Sequence, residues 1–108
     1  MSKDQPQLPE HYVSIRKRYP DLCAALETVG KAAREAGPLD SKTGHLIQLA
    51  AAAGIRSEGS VHSHARRAIE AGATAEEIRQ AVILLTSTIG YPAVAAALSW
   101  VEDVLEPS

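Results

Sequence analysis

From Pro20 onward, apolar residues return along the chain at helical intervals. Leu22, Leu26, Val29 and Ala33 recur at steps of four, three and four, an amphipathic stripe that Gly37-Pro38 should end. Leu46, Leu49, Ala50 and Ala53 line one side of a further stretch, which Asp40 or Ser41 can cap and Gly54 closes. Ser57 can cap the next helix, in which Val61, Ala65, Ala68 and Ile69 are apolar and Gly72 is the stop. Thr74-Ala75-Glu76-Glu77 reads as a capping box ahead of Ile78, Ala81, Val82 and Leu85. Gly90-Tyr91-Pro92 breaks the chain, and Val94, Leu98, Val101 and Leu105 follow as a last stripe with Pro92 in its first turn. Nearer the N-terminus, HYVSIRKRYP suits a short helix that stops before Pro20. No segment alternates with period two for long enough to make a strand. The pattern predicts an all-α bundle of five to six helices with short connections, a single domain over residues 9–108 behind a flexible tail at 1–8.

Composition changes this picture in one respect. The chain has 108 residues and is 45% hydrophobic, with no Phe and a single Trp. Alanine supplies much of the apolar fraction, so helix axes can approach closely while each side chain buries little area, at about 25 cal/mol per Å². A lone subunit is then marginal, and association of copies would supply the missing burial. The formal net charge of −2 and the lack of a long basic run argue against nucleic acid as a partner. The apolar run AVILL at 81–85 is far too short to span a bilayer, and the polar start MSKDQPQLPE resembles no signal peptide. A cytoplasmic location and no membrane partner are expected. The single Cys23, set among apolar neighbours in LCAAL, reads as a small buried hydrophobe.

Candidate chemistry collects in SEGSVHSHARRA, residues 57–68. At 100° per residue, Ser57, Ser60 and His64 fall within about 60° of one another and form one polar stripe. The apolar set lies beside it, so His64 stands at the border between core and solvent. His62 projects roughly 160° away from His64, so one helix cannot aim both imidazoles at a single small site. Glu58 and His62 are four residues apart and can pair. His45, on the preceding helix, could face the stripe if the two helices pack antiparallel. No metal is expected, because the His62 to His64 spacing suits a strand better than a helix and three or four convergent ligands are needed. Serine nucleophile chemistry lacks its elbow motif. General acid/base work by His64 needs only one positioned imidazole. The plain alternative is a hydrogen-bonded border histidine.

The text from LDSKTGHLIQLAAAAG through SVHSHARRAIEAGATAEEIRQAVILL to IGYPAVAAAL resembles the carboxymuconolactone decarboxylase and AhpD-like alkylhydroperoxidase superfamily. The run from His64 through Ala68 and Gly72-Ala73-Thr74 to Glu76-Glu77-Ile78 carries the likeness most strongly. The resemblance implies an all-helical AhpD-like fold that assembles as a homotrimer or homohexamer, with sites near subunit interfaces. In the peroxidase branch, two cysteines precede a histidine and a glutamate on the preceding helix relays protons. Here those positions hold Ser57, Ser60, His64 and His45, so the resemblance places the stripe where the dithiol would be, with its sulfur removed. Serine hydroxyls cannot cycle through a disulfide. The decarboxylase branch keeps a histidine at the position of His64, which implies proton transfer to the carbanion or enolate formed as CO2 leaves a lactone acid. Ser63 departs from that branch, which commonly carries a bulky aromatic there.

The expectation is thus cofactor-free acid/base chemistry on a small organic acid, a decarboxylation or related lyase or isomerase step. His64, Glu58 and His45 would be the catalytic residues, and Ser57, Ser60 and His62 would hold the substrate. A non-catalytic ligand-binding or interaction protein on the same fold is the alternative. A residual AhpD-like peroxidase working through Cys23 is the third.

Overall fold

The computed structural model describes residues 10–106, so the expected tail at 1–8 lies outside the described residues. Every regular element among them is helical. The chain divides into two compact units, one up to Pro38 and one from Leu39 onward.

The first unit is a helical pair, α1 (Glu10–Arg18) and α2 (Pro20–Arg34). Proline disfavours the α conformation in the residue before it. Tyr19 accordingly sits at φ −132°, ψ 62°, and Pro20 opens the first turn of α2. Arg16 reaches Glu27 at 3.7 Å between the two helices. Cys23 is buried, as its apolar neighbours predict. The stripe beside it is not: Leu22, Leu26 and Val29 are 53%, 59% and 63% exposed. α2 also stops at Arg34, short of the Gly37-Pro38 stop read from the sequence. The Ala36 amide bonds the Ala33 carbonyl at 3.3 Å, a tightened last turn.

The second unit holds α3 (Ser41–Gly54), α4 (Glu58–Glu70), α5 (Ala75–Ile83), a single turn α6 (Thr86–Ile89) and α7 (Tyr91–Leu105). Asp40 caps α3 by accepting from the Thr43 amide at 2.7 Å. Thr74 and Glu77 form the reciprocal capping box of α5. The α4 to α5 connection ends α4 in a Schellman turn. Gly72, at φ +101°, donates to Ile69, and Ala73 donates to Ala68 at 2.9 Å.

α4 lies against α3 and α7, and α5 against α3 and α7. Between them Leu49, Val61, Ile78, Val82, Val94 and Val101 are fully buried. Ala52, Ala53, Ala65, Ala68 and Ala97 occupy the same core, and their short side chains let the helices close together. Lys42 bonds Glu77 at 3.0 Å and so ties α3 to α5. Arg79 grips Glu102 through two nitrogens, at 2.6 and 3.1 Å, and so ties α5 to α7.

The short α6 is not visible in the apolar pattern, which runs smoothly through Leu85. The Thr86 hydroxyl bonds the Ile83 carbonyl at 2.7 Å, competing with the amide that would continue α5. None of the helices among the described residues is long and apolar enough to cross a membrane.

Candidate functional site

The site is built on the turn between α3 and α4. Three residues, Ile55, Arg56 and Ser57, reverse the chain. Arg56 takes φ 56°, the one left-handed residue other than glycine among those described. Its amide donates to the Ala53 carbonyl at 3.1 Å, and the Ser57 amide donates to the Ala52 carbonyl at 3.0 Å. Two of the orphan carbonyls of α3 are satisfied by this pair of bonds. The Ser57 carbonyl in turn accepts from Val61 at 2.9 Å and begins α4. Ser57 is therefore fixed through its backbone to both helices. Its hydroxyl makes no capping hydrogen bond, contrary to the role expected for it.

From this anchor Ser57, Ser60 and His64 run along α4, all half-buried. The hairpin turns α3 back along α4 and brings His45 beside His64. His45 is the buried polar residue of the unit, 6% exposed. The two imidazole rings meet with their centroids 5.7 Å apart, tilted by 33°. A ring contact between two adjacent helices is a strong positional statement, since each helix fixes its own ring through the backbone. One turn beyond His45 on α3 stands Gln48. No donor among the described residues reaches its buried side-chain oxygen. A carbonyl oxygen in that state suits a hydroxyl or amide hydrogen on a small molecule. Gln48 was not singled out in the sequence, although its spacing of three from His45 places both on one side of α3.

The other candidates gather elsewhere. His62 turns its Nε2 to Asp103 Oδ2 at 3.0 Å, a contact between α4 and α7. Glu58 joins this pair, with one ligating atom from each of the three residues within 4.8 Å of the others. The six residues proposed from the sequence thus divide. His45 and His64 come together across α3 and α4, with Ser57 and Ser60 on the His64 side. Glu58 and His62 come together with Asp103 on α7. Asp103 carried no signal in the sequence, because spacing within one helix does not show which residue of another helix will face it. Cys23, the only cysteine of the sequence, belongs to α2 in the first unit.

The two imidazoles thus meet across α3 and α4, one buried and the other half-buried. The fold is that of the all-α AhpD-like superfamily. More narrowly, the family model for the carboxymuconolactone decarboxylase family matches residues 20–103, and the chain belongs to that family. Among solved structures it is similar to the apo form of a carboxymuconolactone decarboxylase family protein from Legionella pneumophila. That likeness has 27% identity and a TM-score of 0.75, and covers 89% of this chain and 86% of the other. It is also 41% identical over 54 residues to an uncharacterized protein of Haemophilus influenzae. That match takes in 50% of this chain, which spans about half, 48%, of the length of that relative.

Proposed function

We propose that this chain carries out cofactor-free acid/base chemistry on a small organic acid, a decarboxylation or a related lyase or isomerase step, with His64 as the proton carrier. The observation that supports this is the meeting of the His45 and His64 rings, 5.7 Å apart, across α3 and α4. Imidazole is the side chain whose ordinary pKa, near 6.5, lets it both accept and release a proton at neutral pH. Loss of CO2 from a lactone acid breaks a carbon–carbon bond and leaves its electron pair delocalised into the ring carbonyl as an enolate. A proton delivered to carbon from the His64 imidazolium completes the step, and solvent restores that proton. His45 backs the His64 ring. The hydroxyls of Ser57 and Ser60 and the Gln48 oxygen hold the polar groups of the substrate. Glu58 and His62 lie with Asp103, so in this reading their part is to brace α4 rather than to touch substrate.

Dithiol peroxide reduction needs two thiols that can form a disulfide, and the chain has one cysteine. The active form in this proposal is a homotrimer or homohexamer, in which the exposed apolar stripe of α2 is covered by another copy.

The test is a carboxymuconolactone assay on purified protein, following CO2 release and loss of the lactone absorbance. Turnover is expected, and His64→Ala should lower kcat by about 10² or more, the range of general acid/base catalysis, while leaving the assembly mass unchanged. Turnover that survives His64→Ala would remove the assignment. Binding of the lactone acid without turnover would move the protein to the ligand-binding alternative. Hydroperoxide reduction that persists in Cys23→Ser would show a chemistry that this site does not account for.

A further inference from the structure

The geometry points to a divalent metal site of the zinc class formed by Glu58, His62 and Asp103, separate from the His45–His64 pair. Glu58 and His62 stand one turn apart on α4, and Asp103 comes from α7. His62 Nε2 and Asp103 Oδ2 are already 3.0 Å apart, and all three ligating atoms lie within 4.8 Å of one another. Zinc bonds of about 2.0–2.2 Å to nitrogen and oxygen put tetrahedral ligand atoms roughly 3.3–3.5 Å apart. The imidazole and the Asp103 carboxylate are near that spacing without rearrangement. Glu58 closes the remainder by side-chain rotation, since it sits exposed in the first turn of α4.

Two features separate this group from an ordinary ion pair. One carboxylate suffices for one imidazole, yet two converge here from different helices. The dipole of α4 and the four-residue spacing to His62 account for Glu58, and they leave it and Asp103 as like charges that repel across one ring. A dication placed between them relieves that repulsion. The His62 side chain is 19% exposed and that of Asp103 59%. The ring is held while water can complete the coordination. Imidazole with carboxylates favours zinc, nickel, cobalt or copper over magnesium and calcium. The ion would take the place of the hydrogen shared by Nε2 and Oδ2, and would clasp the start of α4 to the end of α7. The expectation of no metal rested on the His62 to His64 spacing and on the need for three or four convergent ligands, and Asp103 of α7 supplies the third. His64 is not in this set, so metal binding and turnover at His64 stand or fall separately.

The test uses the whole chain, stripped with a chelator, in the Cys23→Ser background so that no thiol competes. Isothermal titration with ZnCl2 should give one ion per chain, bound tighter than about 100 μM, and the melting temperature should rise by several degrees. The near-isosteric Asp103→Asn and Glu58→Gln, together with His62→Ala, should each weaken binding about tenfold or more, with circular dichroism confirming unchanged helix content. His64→Ala should leave the titration unchanged. Absence of zinc binding, or binding that Asp103→Asn and His62→Ala leave intact while His64→Ala abolishes it, would overturn the assignment.

Discussion

Arg56 stands in the left-handed region, where a β-carbon crowds the following carbonyl and costs about 1–2 kcal/mol relative to the usual conformation. It is exposed, and its backbone closes α3 and orders Ser57. Glycine is the residue that such a position favours. Arg56→Gly should therefore raise stability by about 0.5–1 kcal/mol, after the greater entropy of glycine in the unfolded chain is set against the relief of strain. A urea melt would show this as a higher midpoint with an unchanged slope. A lower midpoint would mean that the Arg56 side chain contributes contacts beyond its backbone role. The same turn shows how far single residues could be read in advance. The line of Ser57, Ser60 and His64 follows from helical spacing alone. The left-handed Arg56 does not, because the sequence carries an arginine where a glycine would have announced the turn. The unused Ser57 hydroxyl is a further case: the position is an N-cap by type and by place, yet its ψ is 95°, against 168° and 160° at Asp40 and Thr74, whose side chains do cap.

Helix ends and their ties to neighbouring helices hold three carboxylates of the second unit in their charged form. Glu77 is held below its ordinary 4.5 first by the Thr74 amide it accepts from, then by Lys42. Glu102 is held below 4.5 by its hydrogen bonds from Arg79. Asp40 is held below 3.8 by its hydrogen bonds from Thr43. A carboxyl group whose pKa is lower in the folded state contributes stability above its unfolded value and loses that contribution as pH falls through the folded one. The melting temperature should thus stay level down to about pH 5 and then fall progressively below about pH 4.5, where unfolded carboxylates begin to take up protons. Glu77→Gln should flatten that fall and lower the plateau at neutral pH, because the charge that ties α5 to Lys42 of α3 goes with it, while the amide oxygen can still accept from the Thr74 amide. An equal slope in wild type and variant would shift the acid response to other groups. Most of these elements were legible. The capping box at Thr74, the prolines in the first turns of α2 and α7, and the stops at Arg18 and Gly54 all depend on residues close together in sequence. The break after Ile83 was not, since it turns on whether Thr86 bonds backward to a carbonyl or leaves it to the next turn. The meeting of His62 with Asp103 was hidden for a different reason: stripes show which side of a helix is apolar, not which two polar residues will meet across a pair of helices.

At the scale of the whole molecule, the alanine-rich composition and the exposed side of α2 bear on one question, the number of copies that work together. Leu22, Leu26 and Val29 follow one another along α2 at helical steps, each more than half exposed. Isolated exposed apolar residues need no explanation, but a row of three on one helix face forms a contiguous patch. Covering it gains about 25 cal/mol per Å² of apolar surface, which a chain with so few large side chains has most reason to use. Under the proposed assembly, association through this patch would bury Leu26 among other apolar side chains, where a carboxylate would be costly without a partner. Leu26→Glu should therefore shift the mass measured by analytical ultracentrifugation from that of a trimer or hexamer toward that of a single chain, and do so at lower protein concentration more completely than at higher. Because His45 and His64 belong to the other unit, the variant also asks whether the site works without assembly: turnover that falls with dissociation and recovers at high concentration would mean that a neighbouring copy completes the pocket. A wild-type chain that sediments as a monomer, or a Leu26→Glu variant with undiminished mass, would take α2 out of the interface and leave the exposure of its apolar row without a role.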